Sequence, residues 1–227
     1  MTLARLADSL RLVVITDEAL ARPRSVPDVV ASAVTAGAPA VQLRAKGASA
    51  RELHAAGLEL LPIVRDGGAL FFVNDRVDVA LALGADGVHL GPDDLPVAAA
   101  RRAAQTAGRT GSGRDPDGPR PFFIGASADD PATARRLVAD GADYIGCGTV
   151  FTTSTKADAG EAIGIDGLQR VVDAVHVPVV AIGGIHAIGS AQVAAGSQAA
   201  GVAVVGAVMG AEDVEATVAS ILQPWLR

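Results

Sequence analysis

Gln42, Arg44 and Lys46 stand two residues apart, directly after the apolar run 38–41. In an extended strand, positions i, i+2 and i+4 project to the same side. One side of this stretch would then carry an amide and two cations. Burying two positive charges is costly unless something negative meets them, so the pattern points to an anionic ligand. Arg grips phosphate oxygens bidentately and Lys adds a point charge. Ordinary surface charge just past a strand end is the competing reading.

Carboxylates follow two later apolar runs. Asn74-Asp75 follows residues 69–73, and Asp93-Asp94 follows residues 87–90. Neighbouring parallel strands lie about 4.8 Å apart, so one carboxylate beyond each can converge on one cation. Oxygen-only ligation by few protein carboxylates, beside a phosphate, suits Mg2+. Each aspartate also has a plainer role, Asp75 as the N-cap of a helix from Val77 and Asp94 as that of a helix from Pro96. His89, inside its strand, reads as a hydrogen-bonded interior residue. Ser127 offers its hydroxyl either to a ligand or to the next helix as an N-cap, and no sequence signal marks it as an activated nucleophile. Thr152, Thr153, Ser154, Thr155 and Lys156 gather four hydroxyls and a cation into a loop suited to an oxyanion, with a solvent loop as the alternative. Gly183-Gly184 and Gly206 sit where backbone N–H groups can approach a phosphate closely. Cys147, with no base visible beside it, reads as buried and inert. No Glu–His pair or Ser–His–Asp set is evident, so positioning and charge stabilisation would carry most of the catalysis.

These residues need a scaffold that brings strand ends together. Most of the apolar runs at 12–15, 40–43, 69–73, 87–90, 121–124, 144–147, 178–182 and 201–205 lack polar alternation, as parallel strands covered on both faces do. Amphipathic segments at 26–36, 50–65, 77–83, 96–107, 131–139, 165–175, 187–195 and 212–222 lie between them. Eight such units predict a single α/β domain over residues 1–227, a (β/α)8 TIM barrel with its site at the C-terminal ends of the strands. An open doubly wound sheet is the weaker alternative, because no G-x-G-x-x-G follows the first strand. The loops after strands seven and eight, which hold Gly183 and Gly206, often bind phosphate in such barrels. The repeated phrases Gly84-Ala85-Asp86 and Gly141-Ala142-Asp143 join helix ends to strands and read as turns of the opposite, stabilising face. The Gly-, Pro- and Arg-rich stretch 106–120 reads as an exposed loop on that same face, so Arg109, Arg114 and Arg120 receive no chemical role.

Half of the 227 residues are hydrophobic, ample for one core, and the formal net charge of −6 argues against a dedicated nucleic-acid binder. No run of about 18 apolar residues predicts a membrane span, and no signal peptide is evident. One cysteine permits no internal disulfide. A cytoplasmic setting fits best.

In order, Gln42-x-Arg44-x-Lys46, Asn74-Asp75, His89-Leu90-Gly91-x-x-Asp94, Gly125-x-Ser127, Thr153-x-Thr155-Lys156, Ile182-Gly183-Gly184-Ile185 and Val204-Val205 resemble the thiamine-phosphate synthase family over nearly the full chain. The resemblance implies a TIM barrel that joins hydroxymethylpyrimidine diphosphate to hydroxyethylthiazole phosphate and releases diphosphate. It implies that Gln42, Arg44, Lys46, Asn74 and Ser127 meet the pyrimidine diphosphate, that Asp75 and Asp94 bind Mg2+, and that Lys156 also contacts the diphosphate. It assigns Thr153, Thr155 and the backbone near Gly184, Val205 and Gly206 to the thiazole phosphate. It implies dissociative chemistry, with diphosphate leaving before the thiazole nitrogen traps a pyrimidine cation. It also suggests a homodimer or small homo-oligomer. The chain departs from the family pattern at Val13, Pro92, Asp129 or Asp130, Thr152 and Gly206, and in longer stretches at 106–120 and 196–201. A related thiazole tautomerase is similar but lacks the Asn-Asp pair and the second aspartate. A non-catalytic phosphate-binding barrel would be expected to lose Arg44, Lys46 or the aspartates. An unrelated barrel isomerase would need an acid/base pair.

Overall fold

Short runs of Val, Ile, Leu and Phe form strands buried on both faces, and each is too short to stand without its neighbours. The computed structural model of the protein describes residues 3–109, 121–152 and 161–226. In chain order the elements are α1 (Leu3–Ser9), β1 (Leu12–Ile15), α2 (Glu18–Ala21), α3 (Val26–Thr35), β2 (Ala40–Leu43), α4 (Ala50–Asp66), β3 (Leu70–Asn74), α5 (Val77–Leu83), β4 (Gly87–Leu90) and α6 (Val97–Thr106). They continue with β5 (Phe123–Ser127), α7 (Pro131–Ala139), β6 (Tyr144–Cys147), α8 (Gly164–Val172), β7 (Val179–Ile182), α9 (Ala187–Gly196), β8 (Gly201–Val204), α10 (Gly206–Met209) and α11 (Val214–Leu222), with a 3-10 turn at Gln223–Trp225. Each strand pairs parallel with the next, and β8 returns to β1, closing a (β/α)8 TIM barrel.

Side chains alternate between two cores. Outward-facing residues such as Val14, Val41, Phe71, Val88 and Ile124 pack in the cluster beneath the helices. Val13, Ile15, Ala40, Phe72, Phe123, Tyr144, Val180 and Ala203 fill the interior, joined by Leu6 of α1 and by Leu10. The sequence reading missed α1, α2 and α10. The interior depends on glycine opposite bulk. A Cβ on Gly87 would lie 2.8 Å from the Phe72 ring, one on Gly125 would lie 2.1 Å from Tyr144, and one on Gly146 would lie 2.7 Å from His89.

The Gly-Ala-Asp phrases do more than turn the chain. Gly84 closes α5 with φ 66, the left-handed region open to glycine. Asp86 Oδ2 then accepts from the Phe71 N–H at 2.9 Å, and Asp143 Oδ2 accepts from the Ile124 N–H at 2.8 Å. Arg101 of α6 pairs with Asp143 and donates to the carbonyls of Phe122 (2.9 Å) and Gly141 (2.8 Å). Arg109 likewise donates to the Ala85 and Pro121 carbonyls, so it stitches the N-terminal face. Residues 110–120, which include Arg114 and Arg120, lie outside the described residues.

Several boundaries differ from expectation. β5 runs to Ser127 rather than ending at Ile124, α8 stops at Val172, and α11 begins at Val214 with Asp213 as its cap. The first of these matters, because it puts Ser127 on the barrel wall instead of in a loop.

Arg101 and Asp143 are 15% and 18% exposed at their side chains. Removing one partner of such a shielded pair strands the other along with its amide and carbonyl partners. Asp143→Ala is therefore expected to cost about 3 kcal/mol by equilibrium urea unfolding, with turnover per folded molecule unchanged. A loss of turnover without a loss of stability would contradict this purely structural role.

Candidate active site

Strand parity builds the floor of the site. Gln42 follows Ala40 on the inward face of β2, Asn74 follows Phe72 on β3, and Ser127 follows Phe123 and Gly125 on β5. Asn74 registers with His89 of β4, and His89 with Gly125. Four polar side chains thus top an otherwise apolar interior, each from an adjacent strand. Gln42 is 4% exposed and donates through Nε2 to Asn74 Oδ1 at 2.6 Å. His89 Nε2 lies 3.0 Å from Ser127 Oγ, and its Nδ1 lies 3.2 Å from the Tyr144 hydroxyl. His89 is thus the hydrogen-bonded interior residue that the sequence suggested. Ser127 does not cap α7; Asp130 does, accepting from Ala132 and Thr133 N–H groups.

Arg44 and Lys46 lie beyond β2, which ends at Leu43. The two cations are therefore not on a buried strand face but on the turn above it. Arg44 keeps 17% side-chain exposure, and Lys46 is exposed. What fixes Arg44 is Thr16, 1% exposed at the end of β1. The Thr16 hydroxyl accepts from the Arg44 N–H at 2.9 Å and lies 3.2 Å from the Arg44 carbonyl, while the Thr16 N–H donates to the Gln42 carbonyl at 3.0 Å. Asp17 stands 4.0 Å from the guanidinium. The sequence reading missed both residues. Their only signal was a polar pair directly after the apolar β1.

Asp75 and Asp94 meet. Asp94 is close enough to Asp75 to raise its proton affinity, and Lys46 and Arg44 act on the same carboxylate. Burial first, then the Asp94 hydrogen bond and charge, push Asp75 up to about 6, against the pull of the two cations. Neither aspartate is a helix cap. Arg76 and Pro96 occupy those positions without side-chain cap bonds, and Asp94 Oδ2 instead accepts from the Gly91 N–H at 2.6 Å. Asp75 also adopts φ 65, unusual for a residue with a side chain. The Arg76 N–H donates to the Asn74 carbonyl at 2.7 Å across it, and its own N–H donates to the His89 carbonyl at 2.8 Å. This tight, strained turn carries the carboxylate over the barrel mouth.

The donor set fits a hard cation of the Mg2+ kind. Two carboxylates converge, free of capping duty, with the proton affinity of one raised by the other. Among the described residues no cluster of three or more His, Cys, Asp or Glu is placed to hold a metal. The remaining positions would therefore fall to ligand oxygens and water, which is how Mg2+ is commonly held beside phosphates.

Across the mouth, the loops after β6 and β7 are locked together. Val150 and Phe151 N–H groups donate to the Ile182 and Gly183 carbonyls at 2.9 and 3.1 Å. Gly183 (φ 101) and Gly184 (φ 65) allow this. A Cβ on Gly184 would stand 2.6 Å from the Thr152 carbonyl oxygen. After β8, Val205 precedes α10, and Gly206 and Ala207 form its first turn, where N–H groups lack intrahelical partners. Thr153, Thr155 and Lys156 lie outside the described residues. Cys147 is buried, and burial followed by the charge of Asp129 pushes its thiol up to about 12.

The sequence model of the family described as thiamine monophosphate synthase matches residues 12–114 and 118–208. A thiamine-phosphate synthase of Chloroflexus aurantiacus is 44% identical over 216 residues, covering 95% of this chain and 92% of that protein. One of Methanoregula boonei is 47% identical over 207 residues, covering 91% of this chain and 89% of its own. The solved structure of a thiamine phosphate pyrophosphorylase from Pyrococcus furiosus superposes with a TM-score of 0.83 at 40% identity, covering 98% of this chain and all of that one. An N-acetylmannosamine-6-phosphate 2-epimerase of Clostridium perfringens, at 14% identity and a TM-score of 0.65, shares the fold alone.

If the Asp75 turn exists for its carboxylate, the fold should be better off without it. Asp75→Gly removes both the positive-φ strain and the like charge beside Asp94, and is expected to raise stability by about 1 kcal/mol in urea unfolding without added metal. A clear loss of stability would mean that the side chain serves the fold.

Proposed function

The chain belongs to the thiamine monophosphate synthase family, and we propose that it carries out that family's transferase reaction with its own residues divided as follows. The substrates are hydroxymethylpyrimidine diphosphate and hydroxyethylthiazole phosphate. The C–O bond to the diphosphate breaks and its electron pair leaves with diphosphate; the thiazole nitrogen lone pair then forms the new C–N bond of thiamine phosphate. The convergence of Asp75 and Asp94 beneath Arg44 and Lys46, at the ends of β2, β3 and β4, carries this reading.

Gln42, Asn74 and Ser127 form a polar floor that holds the pyrimidine end. Arg44 and Lys46 face the diphosphate and stabilise its charge as it leaves. Asp75 and Asp94 would hold Mg2+, which when bound supplies further neutralisation of the leaving group. Lys156 would add a cation to the diphosphate. Thr153, Thr155 and the backbone of Gly183, Gly184, Val205 and Gly206 take the thiazole phosphate. No residue is required to remove a proton before the C–O bond breaks, because the nucleophile is a ring nitrogen with its lone pair available. Asn74, Asp75 and Asp94 favour this transfer over the tautomerase reading. We further infer a cytoplasmic homodimer or small homo-oligomer. Family resemblance supports the assembly, the single buried cysteine suits a reducing compartment, and no helix among the described residues is long and apolar enough to cross a membrane.

Incubation with both substrates and Mg2+ is expected to yield thiamine phosphate and diphosphate, followed by chromatography. A chelator should stop turnover and Mg2+ restore it. Absence of product would overturn the assignment. Asp75→Ala and Asp94→Ala should each lower turnover by at least ~100-fold while the protein stays folded by circular dichroism, and wild-type rates in either would remove the metal role. Thr16→Val deletes the two bonds that pin the Arg44 backbone. It should raise KM for the pyrimidine diphosphate about tenfold and leave KM for the thiazole phosphate nearly unchanged. An equal rise in both would show that Thr16 acts on general stability instead.

A further inference from the structure

We infer that Tyr144 fixes the neutral His89 ring as its Nε2–H tautomer, so that His89 donates to Ser127 and the Ser127 hydroxyl hydrogen is left to donate to an acceptor atom of the pyrimidine substrate. The substrate named here rests on the functional reading above; the tautomer does not. Tyr144 is 2% exposed, inside the barrel, with its ring edge against Phe72. Burial holds the phenol well above its ordinary range, so it keeps its proton. Among the described residues its hydroxyl has one hydrogen-bond partner, His89 Nδ1 at 3.2 Å.

That single partner sets the direction. A phenol carries one donor hydrogen, and a neutral imidazole offers one donor and one acceptor nitrogen. If Nδ1 carried the proton and donated to Tyr144, the phenol hydrogen would be buried without an acceptor, at the cost of an unmade hydrogen bond. If Tyr144 donates instead, Nδ1 accepts and the ring proton resides on Nε2. The Nε2–H then points at Ser127 Oγ, 3.0 Å away. Ser127 becomes an acceptor toward His89 and keeps its own hydrogen for the barrel mouth. A serine polarised the other way, donating to His89, would offer lone pairs and select a donor on the ligand.

Gly125 makes this possible. A Cβ at this position would lie 2.4 Å from the Tyr144 hydroxyl oxygen and 2.1 Å from the ring carbon that bears it. The glycine two residues before Ser127 thus admits the phenol that orders the serine. Tyr144 and Gly125 are positioning residues, acting through His89.

The test is the ring nitrogen pattern of His89 in long-range 1H–15N correlation spectra at neutral pH, on the free protein. The chain has 4 histidines, and the His89 signals are those lost in His89→Gln. An Nε2–H pattern is expected; an Nδ1–H or doubly protonated ring would overturn the inference. Tyr144→Phe keeps the ring and deletes the hydroxyl. It should move the His89 Nδ1 15N resonance toward that of an acceptor nitrogen without a hydrogen bond and raise KM for the pyrimidine diphosphate about tenfold, with KM for the thiazole phosphate unchanged. An Nδ1 resonance that does not move in that variant also overturns the inference. The spectrum needs neither substrate nor Mg2+. An inactive wild type would therefore overturn the functional reading alone, and an Nδ1–H ring the tautomer alone.

Discussion

Two neighbouring carboxylates, both partly out of water, repel each other, and the mouth of this barrel is organised around that repulsion. Arg44 and Lys46 pull Asp75 toward its charged form, yet burial and Asp94 win and the group is pushed up. The local charge balance of the free protein therefore favours another cation or a proton. The same residue is held at φ 65, where glycine would sit without strain. A position that is unfavourable in both backbone conformation and charge is a poor way to stabilise a fold. It is a good way to hold ready a ligand atom whose partner arrives from solution.

Holding that pair in place requires exact neighbours below it, and the two ends of the barrel use aspartate in opposite senses. At the N-terminal face Asp86 and Asp143 reach back to strand amides, and Asp143 also has Arg101. Burial still raises Asp143, but its partners are all present in the chain. At the C-terminal face Asp94 takes the Gly91 amide and then confronts another carboxylate. The first arrangement is complete as it stands; the second is not. Between them the glycine notches opposite Phe72, Tyr144 and His89 set how closely the strands carrying the two faces can pack.

Much of this was legible in the chain because it depends on local periodicity. Unalternated apolar runs and intervening amphipathic segments are strong signals for parallel strands under helices, whereas the period of two relating Gln42, Arg44 and Lys46 stops at Leu43, where the strand gives way to a turn. Features that depend on register between strands were not legible. Nothing local to Thr16 says that it will meet Arg44, 28 residues away, and nothing local to Tyr144 says that it will meet His89. The capping readings of Asp75 and Asp94 failed for a related reason. Both aspartates precede helices at plausible spacing, but a tight turn and the Gly91 amide redirect the side chains, and turn geometry is weakly encoded by residue type. The short α1 was missed because its buried contribution rests on Leu6 alone among its inward residues, with Leu10 following it, too few positions to display a helical period.

The titratable groups inside the barrel suit the charge-based chemistry proposed above better than proton removal. A general base must have a lone pair available near the reacting atom and an affinity for protons near neutrality. His89 has both ring nitrogens engaged within the protein. Tyr144 holds its proton because it is buried, and Cys147 is pushed up to about 12 by the same cause, with the Asp129 charge adding to it. Asp75, at about 6, has a base's affinity, but that affinity arises first from burial and then from Asp94, and a divalent cation held by the pair would oppose it. A reaction whose barrier lies in separating an anionic leaving group needs none of these as a base. It needs cations fixed at the strand ends and a floor that cannot reorganise, and the Thr16 clamp, the Gln42–Asn74 bond and the His89 chain each reduce the freedom of that floor before any ligand arrives.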